Sequence, residues 1–257
     1  MTTALPDGLT GTATPDGGAG QLPPAPPSAA AVFGDRLPSI TSFAELLATA
    51  GVERGLLGPR EAPRLWERHL LNCAGLSDLI EDGQVVLDLG SGAGLPGLVL
   101  AVQRPEVQVV LVEPLQRRAT FLTEAVEQLG LRNALVRRSR AEELHGKVEV
   151  DVVTARAVAP VDRLAGWALP LLHAGGRLLA MKGEQAATEL AAAGPALHRA
   201  GGVDSAVVEV GSEEHGTRAR VVVVHRGSGL VSAAAPRSQS GPRPGGITST
   251  SKRKNRR

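Results

Sequence analysis

Hydrophobic residues recur at intervals of three and four along residues 39–82, the spacing of one face of a helix. Two groups share this spacing: Ile40, Phe43, Leu46 and Leu47, then Leu65, His69, Leu70 and Cys73. Gly51 and the segment Gly55–Pro59 interrupt the pattern, as glycine and proline do between helices. We therefore predict two or three helices in this part of the chain.

From residue 84 onward, short apolar runs alternate with longer amphipathic segments. The runs predict strands at Val85–Leu89, Val107–Val112, Ala134–Val136, Val150–Thr154, Arg177–Met181, Ala206–Val210 and Arg220–Val224. The segments between them predict helices at Leu95–Gln103, Leu115–Leu129, Val161–Leu171 and Glu184–Arg199. Strands that alternate with helices indicate a parallel sheet with right-handed crossovers, and the last two strands face each other as a hairpin. The prediction is an α/β, Rossmann-like, seven-stranded and mostly parallel sheet with an antiparallel terminal hairpin, preceded by helices.

The two ends of the chain differ in composition from its middle. Residues 1–38 are rich in proline and glycine, as in Pro23–Pro27, and predict a disordered leader. Residues 227–257 carry seven basic residues and no acidic one, which predicts a disordered basic tail. Such a tail either binds RNA phosphates in a salt-sensitive way or only keeps the chain soluble. Residues 39–226 then form one folded unit.

The composition excludes several classes of protein. Aromatic residues make up only 2% of the chain and tyrosine is absent, which argues against a sheet that stacks RNA bases on aromatic rings. Cys73 is the single cysteine, so we expect no internal disulfide and no metal site. No apolar run is long enough to cross a bilayer, and no basic residue opens a signal peptide. We therefore expect a cytoplasmic protein, with no membrane segment and no obligate protein partner.

A glycine-rich turn follows the first predicted strand, in the segment Val85–Gly97. Gly90, Gly92 and Gly94, followed by Leu95, let backbone N–H groups approach a ligand closely. Residues 92–97 also match the G-x-G-x-x-G pattern of dinucleotide-binding proteins, a pattern that is weak on its own. A nucleotide cofactor and a different adenosine-containing ligand therefore both fit this turn.

Two carboxylates favour S-adenosylmethionine over a dinucleotide. Asp88, at the end of the first strand, would face the like charge of a pyrophosphate but suits the ammonium group of S-adenosylmethionine. Glu113 lies at the end of the second strand, where a carboxylate can accept both ribose hydroxyls. The combination favours a methyltransferase fold with this donor, and an NAD-dependent oxidoreductase remains the alternative.

The segments after the later strands bear on the methyl acceptor. Thr154–Pro160 lacks the Asp/Asn-Pro-Pro-aromatic motif of exocyclic-amine methylases, and Cys73 is predicted to be a small core residue rather than a nucleophile. Arg140, Arg156 and Lys182 instead follow the third, fourth and fifth strands. Because open α/β sheets bind ligands at the carboxyl edge, we expect these cations to converge there, with the upstream Arg68-His69 pair as a further part of the set.

Five segments together resemble the ribosomal RNA small subunit methyltransferase G family. They are Val86–Gly97, Ser139–Glu142, Ala155–Ala157, Met181–Gly183 and Trp66–Asn72, and the resemblance covers roughly residues 40–226. It implies a class I methyltransferase that uses S-adenosylmethionine to methylate N7 of one guanine in the decoding-region loop of 16S rRNA. It also implies that 16S rRNA or the 30S subunit is the partner.

The resemblance also implies roles for individual residues. Gly90 and Leu95 match the donor-binding loop, Ala141 and Glu142 flank the adenine, and Arg156 is grouped with them. The acceptor face it implies comprises Arg68, His69, Asn72, Arg140 and Lys182. Asn72 stands where many members have Asp, and Gly55–Gly58 replaces their Asn-Leu-Thr. Two further alternatives remain: a small-molecule methyltransferase, and a non-enzymatic RNA-binding factor.

Overall fold

The computed structural model describes residues 22–228. Their sheet has seven strands in the order β3-β2-β1-β4-β5-β7-β6. The strands are β1 (Val85–Leu89), β2 (Gln108–Val112), β3 (Ala134–Arg137), β4 (Val150–Arg156), β5 (Leu172–Lys182), β6 (Gly202–Val210) and β7 (Ala219–Arg226). Pairing is parallel among β1–β5 and antiparallel where β7 meets β5 and β6. The predicted mostly parallel sheet with an antiparallel terminal hairpin is confirmed.

Helices cover the sheet and precede it. They are α1 (Pro27–Phe33), α2 (Leu37–Leu46), α3 (Asn72–Ala74), α4 (Gly97–Gln103), α5 (Gln116–Gln128), α6 (Val161–Ala168) and α7 (Ala186–Arg199). Wider, π-helical turns at Leu47–Gly51 and Trp66–Leu71 extend the helical region before β1. Short 3₁₀ turns occupy Gly34–Arg36, Ala62–Arg64, Gly75–Leu79, Ala141–Leu144 and Leu169–Leu171. We refer to residues 27–79 as the cap.

The side chains of the sheet alternate between two buried layers, as the pleat of a strand requires. Val221 and Val223 of β7 point into the layer that contains the cap, α4 and α5. Val222 and Val224 point into the layer of α6 and α7. A run of consecutive valines therefore fits β7, which lies inside the sheet, whereas β6 is one of its two edge strands.

The prediction of a disordered leader through residue 38 is wrong for residues 27–38. Pro27 occupies the first turn of α1, where its fixed φ favours a helix and its missing N–H costs nothing. Ala29 and Phe33 are buried in the core, and Trp66 Nε1 donates to Pro23 O at 3.1 Å. The prolines that indicated disorder thus lead into a packed helix.

Parts of the predicted tails lie outside the described residues. These parts are residues 1–21 of the leader and 229–257 of the basic tail. Between residues 22 and 228, no helix combines the length and the apolar character needed to cross a membrane.

Candidate donor-binding site

The glycine turn joins β1 to α4 at the carboxyl edge of the sheet. Gly90 has a φ of +71°, and its N–H donates to Val112 O of the neighbouring strand at 2.8 Å. Gly92 also lies in the left-handed region, with a φ of +56°, and the space where a side chain would begin is nearly empty. These positions favour glycine because an L side chain is strained there. The turn therefore presents backbone directly to the space above it.

Asp88 lies beneath this turn and is fully buried. Its Oδ2 accepts the Gly97 N–H at 3.1 Å, while its Oδ1 is buried and has no hydrogen-bond partner among residues 22–228. Burial raises the pKa of the Asp88 carboxyl to about 7. Gly97 is required here because a Cβ would lie 2.6 Å from Asp88 Oδ2. The carboxylate thus supports the turn from behind and is not part of the cavity wall described below, so the expected direct contact with an ammonium group stays a prediction.

The raised pKa of Asp88 predicts how stability depends on pH. The native protein binds the proton of the Asp88 carboxyl more tightly than the unfolded chain does. The free energy of unfolding therefore falls as pH rises from about 4 to about 7. In Asp88→Asn this contribution disappears. We expect the difference in unfolding free energy, variant minus wild type, to increase with pH across that window. The increase should be on the order of 1 kcal/mol per pH unit. Urea titrations at several pH values measure it, and parallel curves for the two proteins would contradict the prediction.

Glu113 follows β2 and is also buried, with 2% of its surface exposed. Its Oε2 accepts the Gly92 N–H at 3.0 Å, and its Oε1 accepts the Leu115 N–H at 2.9 Å. Arg118 lies 3.8 Å from Oε2. Each carboxylate oxygen has a second acceptor site, so Glu113 can hold the glycine turn and still accept two hydroxyl groups. This geometry suits the ribose-binding role predicted from the sequence.

The segment after β3 forms the opposite side of the site. Ser139 Oγ and the Arg140 N–H donate to Glu143 Oε2 at 2.7 and 3.1 Å, which fixes the start of the Ala141–Leu144 turn. Glu143 is not among the residues predicted from the sequence, although its position three residues after Arg140, the residue that precedes the turn, is that of a capping side chain. Ala141 is buried, and Glu142 and Arg140 are exposed. A small side chain and a flanking carboxylate are thus brought beside the glycine turn.

A cavity of about 670 Å³ lies above these elements, a size that accommodates a nucleoside-sized ligand. Nine of the sequence-predicted residues line it: His69, Gly90, Gly92, Leu95, Glu113, Arg140, Ala141, Glu142 and Arg156. Five others do not: Arg68, Asn72, Asp88, Gly94 and Lys182. Leu56 and Leu57 of the cap also line the cavity, so the segment Gly55–Gly58 forms part of the wall despite its departure from the usual family sequence.

Arg156, at the end of β4, connects the cavity to the cap. Its Nη2 donates to His69 Nδ1 at 2.7 Å and to Arg68 O at 3.1 Å. His69 Nε2 lies 2.9 Å from Glu61 Oε2, a partner that the sequence did not reveal. Burial lowers the pKa of His69, and the neighbouring Arg156 charge lowers it further. His69 is therefore a neutral imidazole whose two nitrogens both have partners.

Cys73 behaves as the core residue that the sequence predicted. It is fully buried, and burial raises the pKa of its thiol to about 11. The thiolate required of a nucleophile is therefore scarce at neutral pH. Asn72, beside it, donates from Nδ2 to Arg218 O at 2.8 Å, which connects the cap to the β6–β7 loop. An aspartate could not donate this hydrogen bond.

Lys182 and Arg68 lie near the cavity but outside its wall. Lys182 Nζ donates to Ala159 O at 2.6 Å and forms an ion pair with Glu189 at 2.8 Å. Its side chain therefore fixes the segment after Arg156, where Ala157 has the strained φ of +53° and lines the cavity. Arg68 is exposed and lies 3.4 Å from Glu61 Oε1.

The fold and this cavity fit S-adenosylmethionine. Gly92 leaves open space where a side chain would begin, Glu113 offers two acceptor sites, and Ala141 leaves room beside them. Within residues 22–228, no cluster of three or more His, Cys, Asp or Glu side chains is arranged to hold a metal ion. A sheet with this strand order, a glycine turn after β1 and a carboxylate after β2 define a Rossmann-like class I methyltransferase.

Comparison with known proteins identifies the family within that class. The profile of the rRNA small subunit methyltransferase G family matches residues 36–218. A protein of Kineococcus radiotolerans with that name is 56% identical over 222 residues. The alignment covers 84% of this chain and 87% of the Kineococcus protein. A Streptomyces avermitilis protein of the same name is 54% identical over 225 residues, covering 86% of this chain and 94% of its own. The chain belongs to the rRNA small subunit methyltransferase G family, and S-adenosylmethionine is its methyl donor.

Solved structures share the fold. PH0793 of Pyrococcus horikoshii, a proposed transferase, superposes with a TM-score of 0.50 at 13% sequence identity. The superposition covers 64% of this chain and 63% of that protein. At this level of identity the similarity concerns the fold alone.

Proposed function

We propose that this protein transfers a methyl group from S-adenosylmethionine to N7 of a guanine in the decoding-region loop of 16S rRNA. The family membership supports rRNA as the substrate, because the related proteins carry that name. The proposal includes a cytoplasmic location, where 16S rRNA or the 30S subunit would be the partner. The state of His69 and Cys73 supports the choice of N7.

The observation that carries the choice of N7 is the state of His69 and Cys73. Both His69 nitrogens are engaged, by Glu61 and Arg156, and the Cys73 thiol is buried with a raised pKa. Neither side chain is a free general base or a ready nucleophile. Guanine N7 has an exposed lone pair and loses no proton before it attacks a methyl group, so its methylation requires neither. Methylation of an exocyclic amine or of a pyrimidine carbon would instead need a free general base or a ready nucleophile, which these two side chains do not provide.

Methyl transfer then depends on how the donor and the guanine are positioned. S-adenosylmethionine supplies an activated methyl group on a sulfonium. Glu113 and the glycine turn hold the adenosine part, and Ala141 and Glu142 flank its base. Arg140, on the cavity rim, is placed to contact a phosphate or guanine O6 and leave N7 free. In-line alignment of N7, the methyl carbon and the sulfur can contribute up to ~7–11 kcal/mol in ideal cases.

The proposal is tested with 30S subunits from a strain that lacks this gene. The protein is incubated with S-adenosylmethionine labelled in its methyl group, and the RNA is then treated with borohydride and aniline. This treatment cleaves RNA at 7-methylguanosine, so we expect one new cleavage site in the decoding region, and none with Glu113→Gln. Label at an exocyclic amine would contradict the choice of N7. Donor binding without transfer to RNA would favour the small-molecule alternative, and RNA binding without donor binding the non-enzymatic one.

Substitutions of Arg140 and Lys182 should change different kinetic constants in this assay. Arg140 borders the cavity and is exposed, so Arg140→Ala should raise KM for the 30S subunit about tenfold with little change in donor affinity. Lys182→Met should instead lower kcat, because the loop segment held through Ala159 O is released. Arg163→Ala, which removes an exposed arginine on α6, is the matched control. Equal kinetics for Arg140→Ala and Arg163→Ala would exclude Arg140 from the acceptor face.

A further inference from the structure

A row of hydrogen bonds joins the cap to the carboxyl edge of the sheet. Glu61 Oε2 lies 2.9 Å from His69 Nε2, and His69 Nδ1 lies 2.7 Å from Arg156 Nη2. His69 and Arg156 both line the cavity, whereas Glu61 stands behind them, about a third exposed, just before the Ala62–Arg64 turn. Glu61 is therefore one side chain removed from the cavity wall.

The chemistry of the three groups determines where the proton of His69 lies. A guanidinium has donors only, so His69 Nδ1 must accept from Arg156 and cannot carry a hydrogen. The proton of the neutral ring is then on Nε2, where Glu61 accepts it. Hydrogen bonding to His69 lowers the pKa of Glu61, so this acceptor stays ionised at neutral pH.

Without Glu61, the Nε2–H loses its acceptor, and only the Arg156 guanidinium still favours this arrangement. A neutral imidazole can place its hydrogen on either nitrogen, and the partner of one nitrogen fixes the state of the other. A hydrogen on Nδ1 would point at the Arg156 guanidinium and displace it. The remaining anchors of Arg156 are Arg68 O at 3.1 Å and the weak acceptor Cys73 Sγ at 3.5 Å.

We propose that Glu61 is a positioning residue of the donor cavity: it selects the Nε2–H tautomer of His69 and thereby holds Arg156 in the cavity wall. The effect on the methyl donor is indirect, since Glu61 itself does not line the cavity. The proposal concerns the donor cavity and does not depend on which RNA base is methylated.

Three variants separate this role from a purely structural one. Glu61→Ala removes the acceptor, and Glu61→Gln keeps an acceptor oxygen but removes the charge. Glu67→Ala removes an exposed carboxylate from the neighbouring turn of the cap and is the matched control. The first readout is the tautomer of His69 in ligand-free protein, from long-range ¹⁵N–¹H spectra of histidine-labelled protein, assigned with His69→Gln. The second is the affinity for S-adenosylmethionine, measured by calorimetry at pH 8.

Wild type and Glu67→Ala should show only the Nε2–H form of His69 and equal affinities. Glu61→Ala should populate the Nδ1–H form and bind the donor about tenfold more weakly, the lower end of the range for a hydrogen bond to a charged group. Glu61→Gln should keep the Nε2–H form and bind within about threefold of wild type, because its carbonyl oxygen still accepts.

Several results would overturn the proposal. One is an Nδ1–H tautomer in wild type, and another is an unchanged donor affinity in Glu61→Ala. A loss of donor affinity of about tenfold in Glu61→Gln, with the Nε2–H form retained, would show that the charge matters and not the tautomer, and this result does not require the alanine variant to fold. None of these measurements requires methyl transfer to RNA, so they test the role of Glu61 independently of the proposed substrate.

Discussion

Glu113→Gln is expected to weaken binding of S-adenosylmethionine about a hundredfold or more. A glutamine has the shape of glutamate but only one acceptor oxygen, and here both oxygens accept backbone N–H groups, from Gly92 and Leu115. The amide NH₂ must therefore face one of these N–H groups, donor against donor. One of the two hydroxyl acceptor sites is lost as well. Hydrogen bonds to a charged group contribute about 1.5–3 kcal/mol each, and two of them account for the expected loss.

Calorimetric titration with S-adenosylmethionine measures this effect. Glu127→Gln makes the same chemical change at an exposed position on α5 and should bind the donor as wild type does. Circular dichroism checks that Glu113→Gln remains folded. A donor affinity within threefold of wild type would mean that the donor does not use Glu113 and that the cavity holds its ligand in another way.

The order of elements along the chain made Glu113 predictable. The glycine turn follows β1, and in a parallel sheet the carboxyl end of the next strand lies beside it, so the position after β2 could be identified from spacing alone. The same argument identifies Gly90 and Arg156, whereas Leu95 and Ala141 are implied by the family resemblance, and all four line the cavity. Residues at the ends of strands are therefore the most predictable part of this site.

Side chains that act from behind the cavity wall were harder to place from the sequence. Asp88 and Lys182 also end strands, yet Asp88 lies under the turn and Lys182 holds a carbonyl oxygen. Spacing gives the edge of the sheet that a residue occupies, but not whether its side chain reaches the ligand or a nearby backbone group. Glu61 carries no pattern of its own, because its contact with His69 depends on how the loop before it packs.

The N-terminal helices show a different limit of prediction from the sequence. The composition of a proline-rich stretch such as Pro23–Pro27 predicts disorder. Burial of Phe33 and the hydrogen bond from Trp66 to Pro23 O fix this segment on the cap instead. The hydrogen bond joins residues 43 positions apart, and local composition carries no information about such a contact.

The contact between the cap and the β6–β7 loop is a place where a single added methyl group should strongly destabilise the fold. Gly75 begins the last turn of the cap, and a Cβ there would overlap the carbonyl oxygen of Thr217 and come within 3.4 Å of Gly211 Cα. Both obstacles are backbone atoms, so no side chain can rotate away. The loop is also held by Asp78, whose Oδ2 accepts the Gly211 N–H at 2.8 Å.

Gly75→Ala is therefore expected to lower the free energy of unfolding by about 2–4 kcal/mol, within the range for overpacking combined with a broken buried contact. Gly166→Ala is the matched control, because Gly166 is exposed on α6 and a Cβ there meets no atom of the described part of the chain within 4 Å. Alanine at that site should stabilise the helix by up to about 1 kcal/mol, so the two glycine-to-alanine changes should shift the unfolding midpoint in opposite directions. Urea denaturation followed by circular dichroism measures both. Equal midpoints for Gly75→Ala and wild type would mean that the cap does not rest on the Thr217 backbone, and the connection through Asn72 to Arg218 O would then have to hold the two parts together.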